Sequence, residues 1–267
     1  MKHRADVALV ARGLAKSREY AQALILSGRI YVDEKRIDKA SDPVGEGDNL
    51  LIRGELAEWA SRGAHKLDKA LDVFQIDVAG KIAMDIGAAA GGFTDVLLRR
   101  GAGHVYAIDV GYGQLDWKLR QDARVIVMER TNARALDAAM FPLRPNLTVM
   151  DVSFISIRLI LAAAAAVMGK EGQFVVLIKP QFEAGRGLVG KHGVVSEIKT
   201  HIQVLREIRD FLPTMGWRLN ALDHSPIKGP KGNIEFLADI RFGEGPALTE
   251  EEIEAAAGRA HLELDGE

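Results

Sequence analysis

Residues 85–95 (DIGAAAGGFTD) are the first place in this chain where residue type and spacing suggest chemistry. Glycines let a backbone pass close to a ligand, and a strand-to-helix turn of this kind lies where open sheets bind ligands. The spacing is one glycine, three alanines, then Gly91-Gly92, with Asp85 two positions before Gly87. It is not the dinucleotide fingerprint G-x-G-x-x-G, which disfavours an NAD-dependent oxidoreductase. Nor is it a phosphate-binding loop, because no Gly-Lys-Ser/Thr follows. Asp109 ends the next apolar segment, 24 residues after Asp85. A carboxylate there can accept both hydroxyls of an adenosine ribose. The glycines alone fit a tight strand–helix turn; with Asp109 they favour an S-adenosylmethionine site.

Four further residues stand out. Lys179 follows five apolar residues and precedes Pro180. A lysine that ends a buried strand emerges at the ligand edge of the sheet, and partial desolvation there favours its neutral, basic form. Asp151 ends a neighbouring apolar segment, and Glu235 sits between Ile234 and Phe236, an odd place for a carboxylate without a partner. Lys66 lies in residues 61–67 (SRGAHKL), before the first strand of this region. Taken singly, each reads as a surface charge or a structural ion pair. All four projecting to one edge is a different matter. With no cysteine in the chain, and with His65, His192, His201 and His224 lacking ligand spacing, no metal site is expected.

These residues need a scaffold, and the pattern from residue 62 onward supplies one. Apolar segments at 81–86, 105–108, 125–128, 147–150 and 173–178 alternate with helical spacing, and a helix at 199–215 precedes strands near 217–222 and 234–241. Such alternation implies right-handed crossovers and a parallel, doubly wound sheet. The first 55 residues differ. A helix near 6–12, a second capped by Ser17 and stopped at Gly28, and short strands at 30–32, near 37 and at 49–53 make a small α+β module, with Pro43 and residues 45–48 as a turn. Residues 54–62 lack periodicity and form a connector, in which Trp59 is expected to pack the joint between domains.

The chain has 267 residues, 48% hydrophobic and 27% charged, which excludes a largely disordered protein. Its net charge of −2 hides an uneven distribution. Residues 1–40 carry nine basic and five acidic residues, whereas 243–267 carry eight acidic residues and one basic, Arg259. A basic front suggests a polyanionic partner. The longest apolar run, 159–168, is about half a membrane span, and the N-terminal residues lack the apolar core of a signal peptide, so a cytoplasmic protein is expected.

Seven segments in order then resemble one family: 61–67 (SRGAHKL), 85–95 (DIGAAAGGFTD), 109–115 (DVGYGQL), 129–134 (ERTNAR), 151–156 (DVSFIS), 179–183 (KPQFE) and 232–236 (GNIEF). Together they resemble the TlyA/haemolysin A family of FtsJ-like ribosomal RNA 2′-O-methyltransferases, over nearly the whole chain. The resemblance implies a Rossmann-like class I methyltransferase domain with a seven-stranded, mostly parallel sheet over 63–243. It also implies an S-four type (αL motif) RNA-binding domain over 1–56, a linker at 57–62 and an acidic C-terminal helix or tail at 244–267. It places the catalytic set on Lys66, Asp151, Lys179 and Glu235. S-adenosylmethionine would lie on Asp85, Gly87, Ala88, Gly91, Gly92, Phe93, Thr94, Asp109 and Val110, with Glu129 and Asn132 at the adenosine end. Ala89-Ala90 replaces the Ser-Thr of many relatives, removing two hydroxyls from the loop. Arg4, Lys16, Arg18 and Arg29 would contact RNA. The implied partners are ribosomal RNA and ribosomal subunits, with no membrane and no metal. The competing readings are an RNA-binding protein with an inactive methyltransferase fold and a membrane-active haemolysin.

Overall fold

A computed structural model describes residues 2–15, 17–26, 28–52, 59–246 and 248–265. The chain divides into two compact units, Met1–Glu58 and Trp59–Glu267.

In the first unit, β1 (Lys2–Arg4) leads into α1 (Ala5–Ala11) and α2 (Arg18–Leu26), followed by β2 (Ile30–Val32), β3 (Lys35–Arg36), β4 (Pro43–Gly45) and β5 (Leu50–Ile52). Ser17 Oγ accepts the backbone N–H of Tyr20 at 3.2 Å, the cap its hydroxyl was expected to provide. Asp33 and Glu34 both have positive φ, the backbone of a tight two-residue hairpin between β2 and β3. Pro43 lies in a strand rather than a turn: β4 pairs antiparallel with β1, and each strand has only three residues, too few for periodicity to reveal. Leu9, Ile25, Ile30, Val44 and Leu50 close a small core. Beside them Asp6 is fully covered, receiving Arg4, Arg18 and Gln22 at 3.0, 3.1 and 2.9 Å. Arg4 and its companions hold the Asp6 carboxyl well below the usual carboxylate range.

The second unit runs α3 (Ala64–Val73), β6 (Ile82–Ile86), α4 (Gly92–Arg99), β7 (His104–Ile108), α5 (Trp117–Arg120), β8 (Val125–Met128), β9 (Leu147–Met150), α6 (Arg158–Met168), β10 (Gln173–Ile178), α7 (Pro180–Glu183), α8 (Ile198–Phe211), β11 (Trp217–His224), β12 (Phe236–Phe242) and α9 (Glu250–Leu264). The sheet order is β11-β12-β10-β9-β6-β7-β8, and only β12 runs against the rest. Along β10, Phe174, Val176 and Ile178 enter the core on one face while Val175 and Leu177 enter the core on the other. That two-sided burial explains the unbroken apolar run.

Two sequence features acquire roles here. Trp59 packs against the core of this unit, with the Arg99 guanidinium 4.3 Å from its ring. In the acidic C-terminal stretch, Thr249 and Glu252 form a capping box that starts α9. Ile253, Ala256, Ala257 and Ala260 of this helix are fully buried, and Glu250 pairs with Arg206 and Arg209.

Candidate active site

Two clefts open at the carboxyl ends of the parallel strands, beside the point where the chain switches from β6–β7 to β9, which is where doubly wound sheets bind ligands. One, of about 350 Å³, is lined by Asp109, Val110, Asn132, Ile86, Ile155 and Ile160 among others. The second, of about 300 Å³, is lined by Lys66, Asp151, Lys179, Arg62, Phe93 and Lys228 among others. Gly87, Ala89, Asp151 and Ser153 belong to both. Gly87 has φ +86°, and a Cβ there would stand 2.6 Å from the Asp151 carbonyl oxygen, so only glycine lets the two strand ends approach this closely. Gly91, also left-handed at φ +95°, turns the chain into α4, where a Cβ would collide with Leu115 and Leu119.

Asp109 faces the first cleft at the end of β7. Its carboxylate accepts the N–H of Ala89 at 2.8 Å and of Gly111 at 2.7 Å. Two carboxylate lone pairs remain, enough for two vicinal hydroxyls. With the isoleucines of the wall, this donor set fits the ribose and adenine of S-adenosylmethionine. The contact from Ala89 uses the backbone, so the missing loop hydroxyls do not affect it. Asn132 lines the same cleft, its amide oxygen capping a short turn through Arg134 N–H. Glu129 does not line it. Its carboxylate pairs with Arg120 and accepts Gly113 N–H, which braces the loop after Asp109.

Asp85 and Thr94 also lie outside both clefts, beneath the glycine loop. Thr94 donates its hydroxyl to Asp85 at 2.6 Å, tying β6 to α4, and the other Asp85 oxygen has no hydrogen-bond partner. Complete burial pushes the Asp85 carboxyl up to about 7, helped by the nearby Asp151 charge and opposed by the Thr94 hydroxyl. The folded chain therefore keeps a proton there that the unfolded chain releases near pH 4, so this group weakens stability as pH rises from about 4 to 7. Asp85→Asn is expected to gain melting temperature over the wild type between pH 5 and pH 8, the whole term being at most about 4 kcal/mol. Parallel melting curves across that range would mean that Asp85 is ionised in the folded protein.

The four charged residues singled out by sequence converge on the second cleft. Lys66 Nζ lies 2.6 Å from Glu235 Oε2 and 3.8 Å from Asp151 Oδ2, and Lys179 Nζ lies 2.5 Å from Asp151 Oδ1. They form one alternating row, Glu235–Lys66–Asp151–Lys179, in which Glu235 and both lysines are buried. Glu235 immediately precedes the reversed strand β12, and that reversal brings it to the edge where the parallel strands end.

Other residues at the site carried weaker signals. Ser153 receives a hydrogen bond from Lys179 Nζ at 2.9 Å. Phe154 is 89% exposed at φ +66° and leans on Phe182, with ring centroids 5.2 Å apart. A phenylalanine in the DVSFIS segment looks apolar and buried from sequence; only its backbone turns it outward. In the first unit, half-exposed Arg4 and Arg18 are both anchored on Asp6, Arg29 lies in the turn between α2 and β2, and Lys16 is outside the described residues.

Residues 59–242 match the family of FtsJ-like methyltransferases, and residues 4–50 match the S4 domain. The 16S/23S rRNA (cytidine-2′-O)-methyltransferase TlyA of Mycobacterium tuberculosis is 43% identical, with 96% of each chain covered. Hemolysin A of Brachyspira hyodysenteriae is 40% identical over 88% of this chain and 98% of its own. The solved structure of a candidate hemolysin from Streptococcus thermophilus superposes with a TM-score of 0.76 at 42% identity, covering 99% of this chain and 98% of that one. Among the described residues, no helix is long and apolar enough to cross a membrane, and no group of side chains could hold a metal ion. The sheet order, the glycine loop and these likenesses agree: the chain belongs to the FtsJ-like methyltransferases, in the group that includes TlyA and hemolysin A, and carries an S4 domain ahead of its catalytic fold.

Proposed function

We propose that this protein methylates the ribose 2′-hydroxyl of cytidine in ribosomal RNA, with S-adenosylmethionine as donor. The observation that carries this reading is the junction of the two clefts, where the Asp109 cavity and the Lys66–Asp151–Lys179–Glu235 row share one rim. The named activity of the TlyA relatives supports the substrate. S-adenosylmethionine, when bound, supplies an already activated methyl group, so the protein's tasks are alignment and removal of one proton.

Lys179 Nζ takes the hydroxyl proton as the 2′-oxygen becomes the nucleophile. Asp151, in contact with Lys179, balances the positive charge that this transfer creates. Lys66 and Glu235 complete the row and hold the ribose on the far side of Asp151. The S4 unit presents Arg4, Lys16, Arg18 and Arg29 to RNA phosphates, which makes affinity fall with salt. The outward face of Phe154 at the cleft mouth offers a surface on which an unstacked base can lie. Activity would place the protein beside ribosomal subunits in the cytoplasm.

The direct test maps 2′-O-methylation on ribosomal RNA after incubating unmethylated subunits with the purified protein and methyl donor. New methylated cytidines are expected. Methylation confined to bases, or absent while the donor binds, would overturn the reading. The cofactor half is tested separately: Asp109→Ala removes two charge-assisted hydrogen bonds, each worth roughly 1.5–3 kcal/mol. The dissociation constant for S-adenosylmethionine should rise at least about tenfold by calorimetry. An unaltered constant would remove Asp109 from the ribose.

A further inference from the structure

We propose that Ser153 is a positioning residue that aims the Lys179 amine at the junction of the two clefts; this rests on the reading of Lys179 as the base. A lysine amine sits on four rotatable methylenes, and a single ion pair leaves it free to swing about that contact. Lys179 has two ties. Asp151 Oδ1 is 2.5 Å from Nζ and Ser153 Oγ is 2.9 Å from it. The Ser153 hydrogen bond fixes one N–H direction of the amine, and the Asp151 ion pair limits how far the amine can swing about it. Asp151 and Ser153 line both clefts, so the amine they hold lies beside the shared rim. A hydroxyl oxygen suits this place because it accepts an N–H from the amine both before and after proton transfer, which leaves the lone pair free for the substrate proton.

The segment carrying Ser153 is itself held. Glu183, buried in α7 just beyond Lys179, accepts Ile157 N–H at 2.8 Å and Ser156 Oγ at 2.6 Å. The connection after β9 and the connection after β10 thus grip each other twice, once through Lys179 onto Asp151 and Ser153, and once through Ser156 and Ile157 onto Glu183. This second grip lies away from the clefts, so it fixes the distance between amine and hydroxyl without touching a ligand.

The test uses full-length Ser153→Ala, Ser153→Thr and Lys179→Ala in single-turnover methyl transfer to ribosomal RNA, with separate measurements of donor and RNA affinity. Ser153 is exposed, so alanine opens no cavity and folding should be unaffected. Ser153→Ala should slow the transfer step about ten- to a hundredfold with both affinities unchanged, the range for a misaligned reacting group. Ser153→Thr keeps the hydroxyl and should recover most of the rate. A wild-type rate for Ser153→Ala beside an inactive Lys179→Ala would overturn the positioning role alone. A rate loss that follows weakened donor binding, or one that threonine fails to restore, would also overturn it, making Ser153 a wall of the cofactor cleft. Activity retained by Lys179→Ala would instead overturn the base assignment on which the proposal rests.

Discussion

Lys179→Ala is expected to lower methyl transfer by about 10²–10⁴-fold, the range that a positioned general base contributes, while S-adenosylmethionine and RNA still bind. The amine acts on the hydroxyl proton rather than on either ligand's recognition groups, and its tether is the end of a strand whose core contacts are untouched by the change. Lys179→Arg separates the two ways in which a cation could help. Guanidinium keeps the charge beside Asp151 but stays protonated at any working pH and cannot accept a proton. It should be as inactive as alanine in a single-turnover assay. If it kept most of the wild-type rate, Lys179 would be an electrostatic clamp and the proton would leave by another route, directly to Asp151 or to water.

The second large effect concerns the S4 unit and its buried carboxylate. Asp6→Ala removes the anchor of Arg4, Arg18 and Gln22 at once. Hydrogen bonds to a charged group contribute about 1.5–3 kcal/mol each, but the guanidiniums are half exposed and screened, which leaves a loss of about 2 kcal/mol. A domain of this size has only roughly 3–9 kcal/mol in total. Its melting temperature should fall by about 10 °C, and RNA affinity should fall with it, while donor binding by the other unit stays unchanged. The pH dependence has a defined sign. Because the folded carboxyl lies below its ordinary range, it stabilises the unit at neutral pH, and that contribution is lost as acid protonates it. Asp6→Ala should remove this acid sensitivity, as read by hydrogen exchange of α1 and α2 amides. An unchanged melting temperature would mean that the arginines hold their places without Asp6.

What sequence revealed and what it hid follow from the range of the interactions. The alternation of apolar segments marked the parallel strands of the sheet, most plainly β10, where burial on both faces leaves an unbroken apolar run. The three-residue strands β1 and β4 are too short to leave a pattern. Asp151 and Lys179 were legible as charges placed where apolar strands end, and Glu235 as a carboxylate among apolar residues at the start of one. Resemblance grouped Asp85, Thr94 and Glu129 with the cofactor; in the structure Thr94 bonds Asp85 beneath the glycine loop, and Glu129 pairs with Arg120 and accepts Gly113 N–H. Proximity in sequence to a ligand-binding turn does not say which side of the turn a side chain takes. Phe154 was hidden for the same reason, since its direction depends on its own left-handed backbone.

The contact between Lys66 and Glu235 joins residues 169 positions apart, and it depends on β12 adding antiparallel to β10. During synthesis, residue 235 must have left the ribosome before this pair can form. Long-range closures of this kind come late in folding, after the loop entropy they require has been reduced by earlier pairings. A nascent or truncated chain that has made β6 to β10 would already own the glycine loop, Asp109, Asp151 and Lys179, yet lack the partner that steadies Lys66.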